Sequence, residues 1–133
     1  MSMLKANMKI LLVDDVSTMR KMIKGHLQQM GFTNVSEAED GEPAWKLIQE
    51  GIEKKQPYEF IISDWDMPGL NGLELVKNIR SFEPTKKLPF LMITADADQT
   101  TVVTAVKAGV NNFIIKPFSV ATLKEKIDKI FNK

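Results

Sequence analysis

Ile10-Leu11-Leu12-Val13-Asp14-Asp15 decides the fold: four consecutive apolar residues break off at two adjacent aspartates. A short run without polar alternation suits a strand buried on both faces, the condition of a parallel sheet covered by helices. Phe60-Ile61-Ile62, Leu88 to Ile93 and Phe113-Ile114-Ile115 are runs of the same kind. Val35-Ser36-Glu37-Ala38 alternates instead and is better placed at an edge. The stretches between these runs carry helical spacing. Ser17 is placed to cap a first helix, in which Met19, Met22, Ile23, Leu27 and Met30 recur at i, i+3, i+4 until Gly31. Pro43 falls in the first turn of a second, with Ala44, Leu47 and Ile48 inward. Leu73, Val76 and Ile79 form a third after Gly72, and Val102, Val103 and Val106 a fourth that stops at Gly109. Ser119 opens a fifth carrying Leu123, Ile127, Ile130 and Phe131. Five βα units with right-handed crossovers give an α/β fold: a five-stranded parallel sheet with five helices on both faces. The pattern does not fix strand order, but 2-1-3-4-5, the flavodoxin order, is common for five such units. Residues 1–7 are expected to be a loose tail and residues 8–133 one domain.

Composition narrows the classes of function. At 133 residues the chain can bury a core without disulfides or a structural metal. Eighteen basic and 17 acidic residues leave a formal charge of +1, too balanced for broad nucleic-acid or membrane-surface binding. Cysteine is absent, so no thiol chemistry is available. Ile10 to Val13 is the longest apolar run near the start, far short of a signal-peptide core or a membrane span. A cytoplasmic location is expected.

The polar residues gather where such a sheet does chemistry. Asp14 and Asp15 follow the first strand, Asp64 and Asp66 the third, Thr94 and Asp96 the fourth, and Lys116-Pro117 the fifth. All lie at carboxyl ends of strands, the edge at which open α/β sheets bind ligands. With the first and third strands adjacent, Asp14, Asp15 and Asp64 would meet in one cleft. Two carboxylates about 4 Å apart repel by roughly 4 kcal/mol at an effective dielectric of about 20. A hard divalent cation relieves that repulsion, and Mg²⁺ suits because it accepts a few carboxylates and keeps waters for a phosphate. Lys116 would then offer a fixed positive charge and Thr94 a hydroxyl to phosphoryl oxygens, leaving Asp64 as nucleophile. Taken singly, each of these residues is ordinary: an Asp after a strand is usually a cap or turn residue, Thr94 a cap, Lys116 a solvated lysine. Their coincidence at one sheet edge favours the site. His26 reads as structural, Trp65 as a packing residue that would report on the site, and Lys124, Lys126, Lys129 and Lys133 as a solvated face.

Val13-Asp14-Asp15, Asp64-Trp65-Asp66-Met67-Pro68-Gly69, Thr94-Ala95 and Lys116-Pro117-Phe118 together resemble a response-regulator receiver domain. Ser17-Thr18-Met19-Arg20, Glu37-Ala38-Glu39-Asp40-Gly41, Gly72-Leu73-Glu74-Leu75 and Ala121-Thr122-Leu123 with Ile130-Phe131 are similar to the CheY-type, stand-alone chemotaxis regulators within that family. The resemblance covers Met8 to Phe131. It implies a two-component phosphoprotein that takes a phosphoryl group on Asp64 and is not otherwise an enzyme. Asp15 and Asp64 would ligate Mg²⁺ directly with the backbone carbonyl of Asp66, and Asp14 through a metal-bound water. Thr94 and Lys116 would bind the phosphoryl group, and the Lys116-Pro117 bond would be cis, at a cost of only about 0.5–1 kcal/mol before proline. Thr94 and Phe113 would form the switch, reshaping the face made by the fourth helix, fifth strand and fifth helix, with Asp98, Phe113, Lys126 and Lys129 on it. A chemotaxis-type histidine kinase would be the donor, small acyl phosphates a substitute, and a protein target, with the flagellar switch as the candidate, the output of a monomer.

Three departures from the CheY-type pattern qualify the flagellar target and the phosphoryl lifetime. Phe113 stands where tyrosine is usual, Asp98-Gln99-Thr100-Thr101 opens a helix that is often lysine-rich, and Asp66 replaces asparagine, with Asp96 nearby. A phosphate sink or a regulator of a non-motor target is the alternative within the family. Asp64-x-Asp66 could instead be the acid pair of a haloacid-dehalogenase-like phosphatase, but that motif usually follows a first strand and comes with a cap insertion. A flavodoxin-like carrier would need a hydroxyl- and glycine-rich phosphate loop where Asp14-Asp15-Val16-Ser17 stands.

Overall fold

Each apolar run forms a strand and each periodic stretch a helix in a computed structural model of the chain, which describes residues 6–67, 69–95 and 98–131. The elements are β1 (Ile10–Val13), α1 (Ser17–Gln29), β2 (Val35–Ala38), α2 (Gly41–Glu53), β3 (Phe60–Asp64), α3 (Gly72–Ser81), β4 (Phe90–Thr94), α4 (Gln99–Ala108), β5 (Asn112–Ile115) and α5 (Val120–Phe131). A 3-10 turn at Glu83–Thr85, not legible in the pattern, leads into β4. All pairings are parallel and the order is β2-β1-β3-β4-β5, as expected.

Alternation along the strands divides the core in two. Leu11, Val13, Ile61, Phe90 and Met92 pack with Ala44 and Ile48 of α2, with Leu75, Val76 and Ile79 of α3, and with Ala105 of α4. Ile10, Leu12, Phe60, Ile62, Leu91 and Ile93 pack with Ile23 and Leu27 of α1 and with Leu123, Ile127 and Ile130 of α5. Both faces of the central strands are therefore dry, which is why their sequences do not alternate.

Local chemistry corrects several expectations. Ser17 is the first residue of α1 rather than its cap; Val16 takes the cap position without a side-chain bond. The Asp14 carboxylate accepts from the Val16 amide at 2.9 Å and replaces the hydroxyl as the turn's organiser. β4 begins at Phe90 instead of Leu88, since Leu88 closes the 3-10 turn by donating to Thr85 and Pro89 has no N–H. β5 is an edge strand in which Ile114 alone is buried, although its sequence is as apolar as a central strand. Met22, Val103 and Val106 are exposed, so the core side of α4 rests on Ala105. The other starts follow capping rules. Asp40 accepts from Glu42 at α2, Asn71 and Glu74 form a reciprocal capping box at α3, and the Ser119 hydroxyl accepts from Thr122 at α5. Ala6 and Asn7, placed in the tail by sequence, accept hydrogen bonds from Thr33 and Asn34.

Candidate functional site

Register brings the acidic residues together. Val13 pairs with Ser63 and Asp64 with Ile93, so the residues that follow β1 and those that end β3 emerge side by side. Asp14 is fully buried and Asp64 is 5% exposed, whereas Asp15 stands exposed at the rim. Carboxylate oxygens of Asp14, Asp15 and Asp64 all lie within 4.8 Å of one another. Lys116, arriving at the end of β5, places Nζ 3.3 Å from Asp64 Oδ1 and 3.8 Å from Asp14 Oδ2. Its own amide donates to the Thr94 carbonyl at 2.8 Å, which ties β5 to β4 beside the buried Thr94. The Lys116–Pro117 peptide is cis.

Backbone amides organise the carboxylates. Trp65 N–H donates to Asp64 Oδ1 at 2.9 Å and to the Ile93 carbonyl at 2.8 Å. Gly72 N–H donates to the Trp65 carbonyl at 3.0 Å, and a Cβ at Gly72 would collide with the Asp64 carbonyl. α3 therefore starts hard against the end of β3, and glycine is what lets it. At α1, Arg20 Nη1 donates to the Asp14 carbonyl at 2.7 Å while Nε pairs with Glu37 of β2 at 3.1 Å.

Electrostatics follows from that packing. Burial, then the Asp14 charge, push the Asp64 carboxyl up from 3.8 to about 6 against the pull of Lys116. Burial also raises Asp14, opposed chiefly by its hydrogen bond from Val16. Among the described residues, Asp14 Oδ2 is the one buried side-chain oxygen without a hydrogen-bond partner. Three clustered carboxylates with an orphaned oxygen are a donor set that fits a hard, oxygen-seeking divalent cation. Beside them are a shallow groove of about 320 Å³ lined by Asp15, Asp66, Met67 and Asn71, and a cleft of about 100 Å³ lined by Trp65, Asp66, Thr94 and Thr101. Together they open the edge of the cluster to solvent at Asp15, Asp66 and Thr94.

The response regulator receiver domain profile matches residues 10–128. The chain belongs to the response-regulator receiver family. This receiver domain is 49% identical to the chemotaxis protein CheY-3 of Vibrio cholerae over 99% of its own length and 98% of the relative's. It is 46% identical to the chemotaxis protein CheY of Pseudomonas aeruginosa over 95% of this chain and 98% of that one. The solved structure of Vibrio cholerae chemotaxis protein CheY4 shares its fold with a TM-score of 0.83 at 32% identity, covering 95% of this chain and 100% of that one. No described helix of the receiver domain is long and apolar enough to cross a membrane.

The residues singled out in the sequence fall into two groups. Asp14, Asp15, Asp64, Thr94 and Lys116 converge at one edge, with Asp66 exposed at its mouth. Asp98, Phe113, Lys126 and Lys129 lie apart on α4, β5 and α5. There Asp98 caps α4 through the Thr100 amide, Lys126 Nζ stands 5.4 Å from the Phe113 ring centre, and Lys129 pairs with Glu125 at 3.7 Å. Pro68, Asp96, Lys133 and residues 1–5 lie outside the described residues. Arg20 and Gly72 act on the site through backbone carbonyls, and sequence reasoning gave neither a role. Their one available signal is position, a cation one turn into the helix after the aspartates and a glycine at the start of the helix after Asp64.

Proposed function

We propose that this receiver domain is a chemotaxis-type response regulator that accepts a phosphoryl group on Asp64 with Mg²⁺ and signals by phosphorylation-dependent protein binding in the cytoplasm. The observation that carries the reading is the convergence of Asp14, Asp15 and Asp64 with Lys116 Nζ 3.3 Å from the acceptor oxygen. Near-complete coverage of CheY proteins supports the chemotactic setting. Asp15, Asp64 and the Asp66 carbonyl would hold the cation directly, and Asp14 through a water. When bound, Mg²⁺ supplies the charge neutralisation that lets an anionic phosphoryl group approach three carboxylates.

An ionised Asp64 oxygen attacks the phosphorus of a kinase phosphohistidine. The O–P bond forms as the P–N bond breaks, and the imidazole nitrogen leaves with the electron pair and takes a proton from solvent. Lys116 transfers its charge from Asp64 to a phosphoryl oxygen, and the Thr94 hydroxyl donates to another. The phosphoryl oxygens carry about −1.5 to −2 charges beside Lys116 while Asp64 gives up its own −1, a gain of about −0.5 to −1 that Thr94 and Phe113 would pass to the α4–β5–α5 face.

That face favours a target other than a lysine-reading flagellar switch, because Asp98 opens α4 and its exposed side chains include the apolar Val103 and Val106 beside a single lysine, Lys107. A phosphate sink is the remaining reading. Binding of the purified protein to the cognate flagellar switch protein, with and without acetyl phosphate and Mg²⁺, separates them. Phosphorylation-dependent binding establishes motor control. Phosphorylation with no change in binding there, or to any chemotaxis component, points to the sink.

A further inference from the structure

We propose that Arg20 is a positioning residue for the divalent-cation site, holding the Asp14 carbonyl so that the turn after β1 aims Asp14 and Asp15 at one point. The inference rests on the Mg²⁺ reading above. Arg20 lies one turn into α1, with its side chain only 14% exposed. Its guanidinium makes two bonds in different directions. Nη1 reaches the Asp14 carbonyl at 2.7 Å, where the chain leaves β1, and Nε is anchored on Glu37 Oε1 at 3.1 Å. Glu37 is itself held from its other oxygen by Lys24 at 3.5 Å. The Asp14 amide donates to the Ala38 carbonyl, next to Glu37, so β2 grips the turn from both sides of the peptide.

The same residue is fixed at its carboxylate, where Oδ1 accepts from Val16. With carbonyl and Oδ1 both held, the rotation of Asp14 is set, and its Oδ2, which accepts no hydrogen bond, is left facing the site 3.8 Å from Lys116 Nζ. A planar guanidinium can span two acceptors at fixed angles, which a lysine ammonium at the end of a flexible stem cannot reproduce. Groups one shell out from a metal commonly govern affinity by orienting the ligands in this way.

A rival account makes an opposite forecast. If Arg20 were merely a nearby positive charge, removing it would strengthen Mg²⁺ binding, since a cation repels a cation. If Arg20 positions the turn, removal weakens binding. The test uses a Trp45→Phe host, Mg²⁺ titration followed by Trp65 fluorescence, and calorimetric titration as an optical-independent check. Arg20→Met is expected to weaken Mg²⁺ affinity about tenfold, and Arg20→Lys several-fold despite its retained charge. Glu37→Gln should shift affinity in the same direction by less, because Arg20 then loses its anchor but keeps its bond to Asp14. Labelling by acetyl phosphate at saturating Mg²⁺ should recover to within about twofold of the host, which separates positioning from a damaged acceptor. Circular dichroism and metal-free melting confirm that each variant is folded at the titration temperature, and Arg20→Lys carries the test should Arg20→Met not fold. Affinity in either variant equal to or tighter than the host overturns the inference alone. Absence of any Mg²⁺ response in the host overturns the Mg²⁺ reading, and this inference with it.

Discussion

Burial and the neighbouring Asp14 hold the Asp64 carboxyl near 6 instead of 3.8, so its ionised form destabilises the folded chain. The sign follows from proton counting. Between about pH 4 and pH 6 the folded state keeps a proton that the unfolded chain has lost, so stability falls as pH rises through that window and the penalty is complete above it. The rise from 3.8 to about 6 corresponds to a penalty on the order of 3 kcal/mol, and the raised Asp14 acts in the same direction. Asp64→Asn should therefore be more stable than wild type at neutral pH without metal, with the gap closing toward about pH 4 in urea titrations. A gap that does not change with pH contradicts this reading. Mg²⁺ should reverse the trend, because it competes with the protons on the same oxygens. Gly72→Ala tests another residue: its Cβ would strike the Asp64 carbonyl, so a loss of about 1–3 kcal/mol and slower labelling of Asp64 are expected. Unaltered melting and labelling would show that α3 can yield. The convergence of the aspartates, Thr94 and Lys116 was legible in the sequence because each follows the carboxyl end of a strand. Arg20 and Gly72 were not, since each acts on a main-chain carbonyl whose direction no residue type announces.

α4 shows how far helical pattern reaches. Its existence and its stop at Gly109, which has a φ of +107°, were readable, since a left-handed residue favours glycine. Which side it buries was not, because three valines on a ten-residue helix fit more than one face. The structure turns Val103 (42% exposed) and Val106 (57%) outward and pins the far end through Arg80, which donates to the Gly109 carbonyl at 2.9 Å and to Asn111 Oδ1 at 3.0 Å. Val106→Ser should then change stability by less than about 0.5 kcal/mol, against about 2–5 kcal/mol for Leu75→Ala in α3. A large loss from Val106→Ser in thermal melts would mean that α4 packs the other way. The cap constrains any test of the charge at Asp98. Asp98→Lys also removes the bond to Thr100, worth about 1 kcal/mol, whereas Asp98→Asn removes the charge and keeps the cap. Asp98→Asn with Phe113→Tyr should strengthen binding to an acidic target peptide; equal binding by the phosphorylated unmodified protein would show that these departures do not weaken recognition. Strand limits slipped for equally local reasons: Pro89 delays β4, and β5 reads as buried although it has one neighbour.

Across the whole molecule, the parallel order β2-β1-β3-β4-β5 turns separate sequence motifs into one site. Hydrophobic periodicity gave the layers, but strand order came from what five such units commonly adopt, because apolar runs carry no label for their neighbours. Once β1 lies beside β3 and β5 beside β4, the three aspartates and Lys116 have little choice but to meet. The arrangement is costly without a ligand, and on the proposed function a cation and a phosphoryl group would make it favourable, which is the physical content of a switch. The proposed function stands or falls with the transfer of a phosphoryl group to Asp64 in a metal-dependent reaction. Intact-mass measurement after incubation with acetyl phosphate, in Mg²⁺ or in EDTA, addresses it directly. One hydroxylamine-labile phosphoryl group is expected on the wild type in Mg²⁺, none in EDTA, and none on Asp64→Asn. Undiminished phosphorylation of Asp64→Asn, or equal labelling in EDTA, would contradict it.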